Sequence, residues 1–295
     1  MGFQSFDDWI NEVSVNGKTT GATIWNKMTS VTFVYGRWYD FSQFSGVPVA
    51  NAYAGAALNW TGCNETAGNG VQIFGLQHSG NVAPDTKHLA IASAVSASSL
   101  AVPGFIQWVD LQGYYPGINM NLATAQVLTG TPTLRYANGA GCRMYLVSTV
   151  ASGAAAHNLS VSYTNQAGVS GRALPIVVSG TASNTAAHIA HTGTGLNNYG
   201  PWLPLNSGDT GIQSVQSITL SAASLAGTAA LCIARPIGHP IPITTAGVLG
   251  EREYFTQAPS LPRVMDGACL VPLFFTGNNT PATTNFYGTF EAHWG

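Results

Sequence analysis

From Val31 to the C-terminus the apolar residues come in short β-branched and aromatic runs, each cut off by Gly, Pro or Asn before a helical face can develop. This punctuation constrains the fold more than any other feature of the chain. The runs are Val31–Phe41, Leu89–Ala97, Phe105–Leu111, Ser217–Ala222, Pro240–Thr245, Ala268–Phe275 and Asn285–Trp294. Many short strands and almost no helical periodicity predict an all-β fold, a jelly-roll-like β-sandwich with long loops. Val49–Asp85 and Thr181–Gly211 exceed ordinary loop lengths, so they are functional loops or hold further small strands.

Three hairpins are expected. The first runs from Thr133–Tyr136 through Asn138-Gly139 to Cys142–Val147, because Asn-Gly supplies the positive φ angles of tight hairpin turns. The second joins the alternating Leu159–Thr164 to Arg172–Val178. The third joins Ser217–Leu220 to Ala229–Ala234.

The N-terminus is different. Phe6, Trp9, Ile10 and Val13 recur at i, i+3, i+4 and i+7 behind a Ser5/Asp8 capping pattern, which predicts one short amphipathic helix. Residues 1–28 are accordingly expected to form an arm and linker, and residues 29–295 the β-sandwich. A helix this short needs somewhere to dock. Either its own domain or a neighbouring subunit would serve, and in the second case Phe6, Trp9, Ile10 and Val13 are the partner-docking residues.

Composition narrows the function. Only 7% of residues are charged, against about 25% in an average soluble protein. A monomer of this size exposes roughly 12,000 Å², so most of its surface must be uncharged or covered by other subunits. Ten basic against twelve acidic residues leave no electrostatic footprint for nucleic acid. No apolar stretch reaches the length of a membrane-spanning helix. The first residues lack the basic and apolar regions of a secretory signal. Cys63, Cys142, Cys232 and Cys269 show no metal-ligand spacing, and they are expected to be reduced, buried, small hydrophobes, with a late disulfide between two of them as the alternative.

Strings that imitate catalytic motifs fail on context. Gly17-Lys18-Thr19 has Glu12 where a phosphate loop requires its first Gly. Asp209-Thr210-Gly211 follows a polar turn, not the apolar strand of an aspartic protease. His188 and His191 have no acidic or Cys neighbour to complete a metal site. No catalytic residue, metal or cofactor is therefore expected, although a carboxylate pair acting on polysaccharide stays open as an enzyme reading. Trp60, Tyr114, Tyr115, Tyr199 and Trp202 sit in Gly- and Asn-rich surroundings. Such aromatics pack loops, anchor interfaces or stack on sugars.

Ser162–Arg172 resembles a segment of tailed-bacteriophage virion structural proteins. Gly36-Arg37-Trp38-Tyr39-Asp40, Leu134–Arg143 and Asn285-Phe286-Tyr287-Gly288 fit the same likeness, which spans most of the chain. The resemblance implies a non-enzymatic capsid-decoration or head-associated protein, assembled in the host bacterial cytoplasm. Its partners would be the major capsid protein or neighbouring copies of itself as a homo-oligomer. The alternative within the same class is an adsorption component that binds a host glycan or receptor.

Overall fold

The computed structural model describes residues 2–65, 71–72, 74–99, 103–153, 155, 157–175, 178–180, 185–189, 200–257 and 261–295. The described residues are mostly strand, with little helix. After helix α1 (Phe6–Ile10) and a π-helical turn at Asn11–Val15 come β1 (Thr23–Met28), β2 (Arg37–Asp40), β3 (Ser45–Val47), β4 (Thr61–Cys63) and β5 (Val71–Gln72). The middle of the chain forms β6 (Lys87–Ser96), β7 (Gly104–Asn119), β8 (Gln126–Val127), β9 (Arg143–Val150), β10 (His157–Asn165), β11 (Arg172–Ala173) and β12 (Val178–Gly180). The last third adds β13 (Ile212–Leu220), β14 (Thr228–Ile243), β15 (Gly250–Glu253), β16 (Leu270–Thr276) and β17 (Asn285–Trp294).

These strands make three sheets, antiparallel except for the short β4–β5 pair. The central sheet runs β2-β16-β7-β14-β9, a second runs β15-β6-β17-β1-β3, and a third runs β11-β10-β13-β8. The expected all-β, jelly-roll-like sandwich with a short N-terminal helix and long loops is the observed class. Its framework is the pair β7 and β14, each of 16 residues and so about 50 Å long. One end of this pair packs on the second sheet and the other end on the third.

Side-chain alternation explains that division. Ile106 and Trp108 of β7 join Ile237, Ile241 and Ile243 of β14 in a core with Trp25, Leu89, Phe286 and Phe290 of the second sheet. Trp108 meets Trp25 edge-on at 5.6 Å and Phe290 at 5.3 Å. Further along, the β7–β14 register shifts at Leu111–Gly113, a bulge that changes which side chains face which layer. Tyr115, Ile118, Leu231 and Ile233 then form a second core with Leu159, Val161, Ile218 and Leu220 of the third sheet. A third core on the central sheet gathers Val109, Leu111, Tyr145, Val271 and Leu273 with Tyr53, Cys63 and Phe74 from the 49–85 stretch. That stretch therefore holds small strands and core anchors. All four cysteines are buried and free.

Several sequence expectations change here. Thr23–Met28, placed in the linker by the sequence, is a sheet strand pairing with β17 over Phe290–Asn285. Its inward Trp25 and Lys27 are buried between outward Ile24, Asn26 and Met28, the two-residue period of a half-buried strand. The Asn138-Gly139 turn exists with Asn138 at φ 54°, but residues 133–136 form no strand. Leu134 packs against the second core and Arg135 is an ion-pair anchor. The 217–220 and 229–234 runs are both strands, yet they do not pair. β13 lies between β10 and β8, whereas β14 lies between β7 and β9. The hairpin formed by 159–164 and 172–178 is present as β10 with β11 and β12; residues 176–177 lie outside the described residues.

Candidate functional site

Charge is scarce, and much of it is buried. Lys27, Asp40, Glu65, Lys87 and Asp110 are all buried, and each meets a specific partner, as burial of a charge demands. Asp110 of β7 is gripped by Arg135 through Nε at 3.1 Å and also through Nη2, while the Cys269 backbone N–H donates to the same carboxylate at 3.0 Å. Arg135 also donates to the carbonyls of Cys63 and Leu111. Asp40 accepts from the Tyr53 and Tyr145 hydroxyls and from the Ser42 N–H. Burial pushes its carboxyl up, against those hydrogen bonds. Lys27 donates to the carbonyls of Phe44 and Pro48, and burial lowers its ammonium to about 8.

A buried Glu65–His78–Lys87 chain has the outline of a proton relay. Lys87 Nζ donates to His78 Nδ1 at 3.0 Å and to the Gly80 carbonyl at 2.6 Å, with Asp266 at 3.7 Å. Because an ammonium only donates, Nδ1 is the acceptor and His78 is a neutral Nε2–H tautomer, donating to the Ala268 carbonyl at 2.8 Å. Burial and the neighbouring Lys87 charge lower its pKa. Glu65 accepts from the His78 and Gly80 N–H groups. The chain joins the 64–80 loop to β6 with the bonding capacity of its imidazole filled.

The motif-like strings are structural. Lys18 bridges Glu12 at 2.5 Å and Asp85 at 2.8 Å, tying the arm to the domain. Asp209 accepts from Tyr163 Oη at 2.6 Å, Asn165 Nδ2 at 2.7 Å and the Arg172 guanidinium at 3.0 Å. Burial would raise its pKa, but those hydrogen bonds outweigh it and hold the carboxyl below its usual range. Glu253 caps the following turn through the Phe255 and Thr256 N–H groups. His188 is buried beside Tyr39, and His191 lies outside the described residues. Among the described residues no three His, Cys, Asp or Glu are placed to hold a metal ion, and no helix is long and apolar enough to cross a membrane.

The arm helix forms as its capping residues predict, with Ser5 Oγ accepting from Asp8 N–H at 3.0 Å. It lies on its own domain. Trp9 stacks on Phe255 at 5.4 Å and donates Nε1–H to His293 at 3.2 Å, while Phe6 and Ile10 stay exposed. Val13 is half-buried.

The candidate aromatics separate. Tyr114 and Tyr115 are fully buried on the two sides of β7. They are core residues, contrary to the surface role that their Gly-rich context suggests. The flanking Gly113 is there because a Cβ would come within 2.4 Å of the Thr61 carbonyl and 2.5 Å of the Trp60 ring. Trp60 covers Tyr115 edge-on at 5.2 Å, and Tyr199 lies outside the described residues. Trp202 is half-buried against Tyr145 and walls a cleft of about 370 Å³ with Arg143, Leu203, Pro204, Leu205, Asp209 and Pro236.

One sheet face is apolar and open, formed where residues of the expected linker meet the C-terminal strand. Ile24 and Met28 of β1, Val47 of β3 and Tyr287 of β17 are each about half exposed or more. Asn26 lies opposite Val47 on one side and Tyr287 on the other. The four apolar side chains therefore surround a single Asn, with no charged residue among them.

No protein-family model matches the chain, and no curated protein matches it in sequence. Among solved structures, that of infectious bursal disease virus, Gt strain, aligns with 97% of this chain and 86% of that one at 10% identity. Its TM-score is 0.15, a level of likeness that carries no argument.

Proposed function

We propose that the protein is a non-enzymatic structural component of a tailed-bacteriophage virion, decorating or cementing the capsid exterior as a homo-oligomer. The observation that carries this reading is the open face of Ile24, Met28, Val47 and Tyr287. It comprises roughly 400 Å² of apolar surface, in the range where a patch on a monomer usually has a function. Doubled by a second copy and extended by the enclosed Asn26 and the flanking exposed Ser45 and Asn285, it approaches the ~1,200 Å² of the smallest stable interfaces. The inward use of five charges supports the same reading, since the 11,805 Å² surface keeps little charge to oppose association.

The test has two arms. Light scattering of purified protein should show an oligomer that Ile24→Lys with Tyr287→Lys converts to monomer with an unchanged melting temperature. Electron microscopy of the particle should show many icosahedrally ordered copies on the head. A few copies at the tail would favour the adsorption reading. Release of reducing sugar from host capsule, abolished by changing one carboxylate, would replace both readings with a depolymerase.

A further inference from the structure

The cleft beside Trp202 is built by the start of β9 and by the segment that follows Gly200. Leu203 N–H donates to the Met144 carbonyl at 2.8 Å, laying Pro201–Leu205 along β9 next to Arg143. Leu203 and Pro204 are buried and Pro236 comes from β14, so the cleft stands on rigid elements. Its polar groups are unevenly satisfied. Asp209, the acid of the cleft, is saturated by Tyr163, Asn165 and Arg172. Arg143 is half-buried, and its guanidinium makes no hydrogen bond or ion pair with any described residue; the Trp202 indole N–H likewise has no acceptor among them. The cleft thus offers donors without acceptors, one uncompensated positive charge and one indole wall.

A ligand that matches this is acceptor-rich, carries one negative charge in a plane that a guanidinium can clamp in bidentate fashion, and has an apolar ring face for the indole. We infer that the Trp202–Arg143 cleft binds an acidic pyranose, a uronate or similar carboxylated sugar unit, with its ring against Trp202 and its carboxylate on Arg143. A volume of about 370 Å³ admits one or two such rings and lies at the small end of ligand sites. Neutral sugars leave the guanidinium without a counter-charge, and simple carboxylates leave the indole uncovered. Recognition therefore needs both parts. The inference concerns this cleft alone and stands apart from the assembly face, which lies on a different sheet.

Saturation-transfer NMR and the indole N–H resonances test it on the full-length protein, with methyl β-D-glucuronide, methyl β-D-glucoside and acetate as probes. The first two differ only at C6. Glucuronide should bind saturably in the millimolar range and shift the Trp202 resonance, with glucoside and acetate at least ten-fold weaker. Arg143→Gln should reduce glucuronide to the glucoside level, Arg143→Lys should fall between, and Trp202→Phe should weaken both sugars. Because Arg143 has no partner to lose, its variants should melt as the parent does. Absence of saturable glucuronide binding overturns the proposal. So does acetate binding as tightly as glucuronide, which marks a bare anion site, or full affinity in Arg143→Gln, which puts the ligand elsewhere.

Discussion

At the scale of single residues, a chain with few charges uses them as internal fasteners. Arg135 ties Asp110 to the carbonyls of Cys63 and Leu111, and Asp209, in the turn before β13, is held by Arg172 of β11 and by Tyr163 and Asn165 of β10. Such groups are stabilising only in one protonation state. Asp209 is held below its ordinary pKa of 3.8, so its contribution is fully present above that pH and is lost as pH falls through the lower folded value. The wild-type melting temperature should therefore drop more steeply below pH 4 than that of Asp209→Asn. At pH 7 the variant should be less stable by about 1.5–3 kcal/mol, the usual worth of hydrogen bonds to a charged group. Thermal scans across pH 2–7 check both statements. Equal acid limbs would show that Asp209 does not set the acid sensitivity.

At the scale of elements, the N-terminal residues divide at Gly21. The helix rests on the domain mainly through Trp9, and Phe6 and Ile10 remain exposed. β1, only a few residues later, is an inner strand flanked by β17 and β3. Deleting residues 1–15 should leave a folded domain, with a loss of about 1–2 kcal/mol for one partly buried Trp and its neighbours. Two-dimensional NMR of the truncated protein, with a denaturant melt, measures this. Collapse of the dispersed spectrum would mean that the arm belongs to the core. The expected hairpins illustrate a limit at this scale. Alternation shows that β13 and β14 are strands, but it carries no information about partners, and the chain crosses between sheets at 221–227. Of the three expected hairpins, the one that forms is β10 with β11 and β12, because its connection is short enough to leave no other choice.

For the whole molecule, β7 and β14 link both ends, since each contributes to a core shared with a different outer sheet. The two ends should unfold together. Phe290→Ala in the first core and Leu220→Ala in the second should each cost about 2–5 kcal/mol and lower one common transition in calorimetry. Two separated transitions, each moved by only one variant, would show that the shared strands do not couple the ends.

The sequence by itself determined the strand-rich class, the N-terminal helix with its Ser5 cap, the buried reduced cysteines and the poverty of surface charge. All of these depend on local periodicity, local backbone chemistry or composition. Tertiary structure decided which strands pair and which faces stay open. Tyr114 and Tyr115 look like surface aromatics beside Gly113 and Pro116, yet they are core because β7 is covered on both sides. Ile24 and Met28 look like linker residues, yet they form an open apolar face because β17 arrives beside them from the far end of the chain, pairing Ile24 with Thr289 and Met28 with Asn285. Arg143 and Trp202 are 59 positions apart in the sequence, and only the segment laid along β9 makes them walls of one cleft. Long-range pairing is chosen by the free energy of the packed whole, and no window of sequence contains that sum.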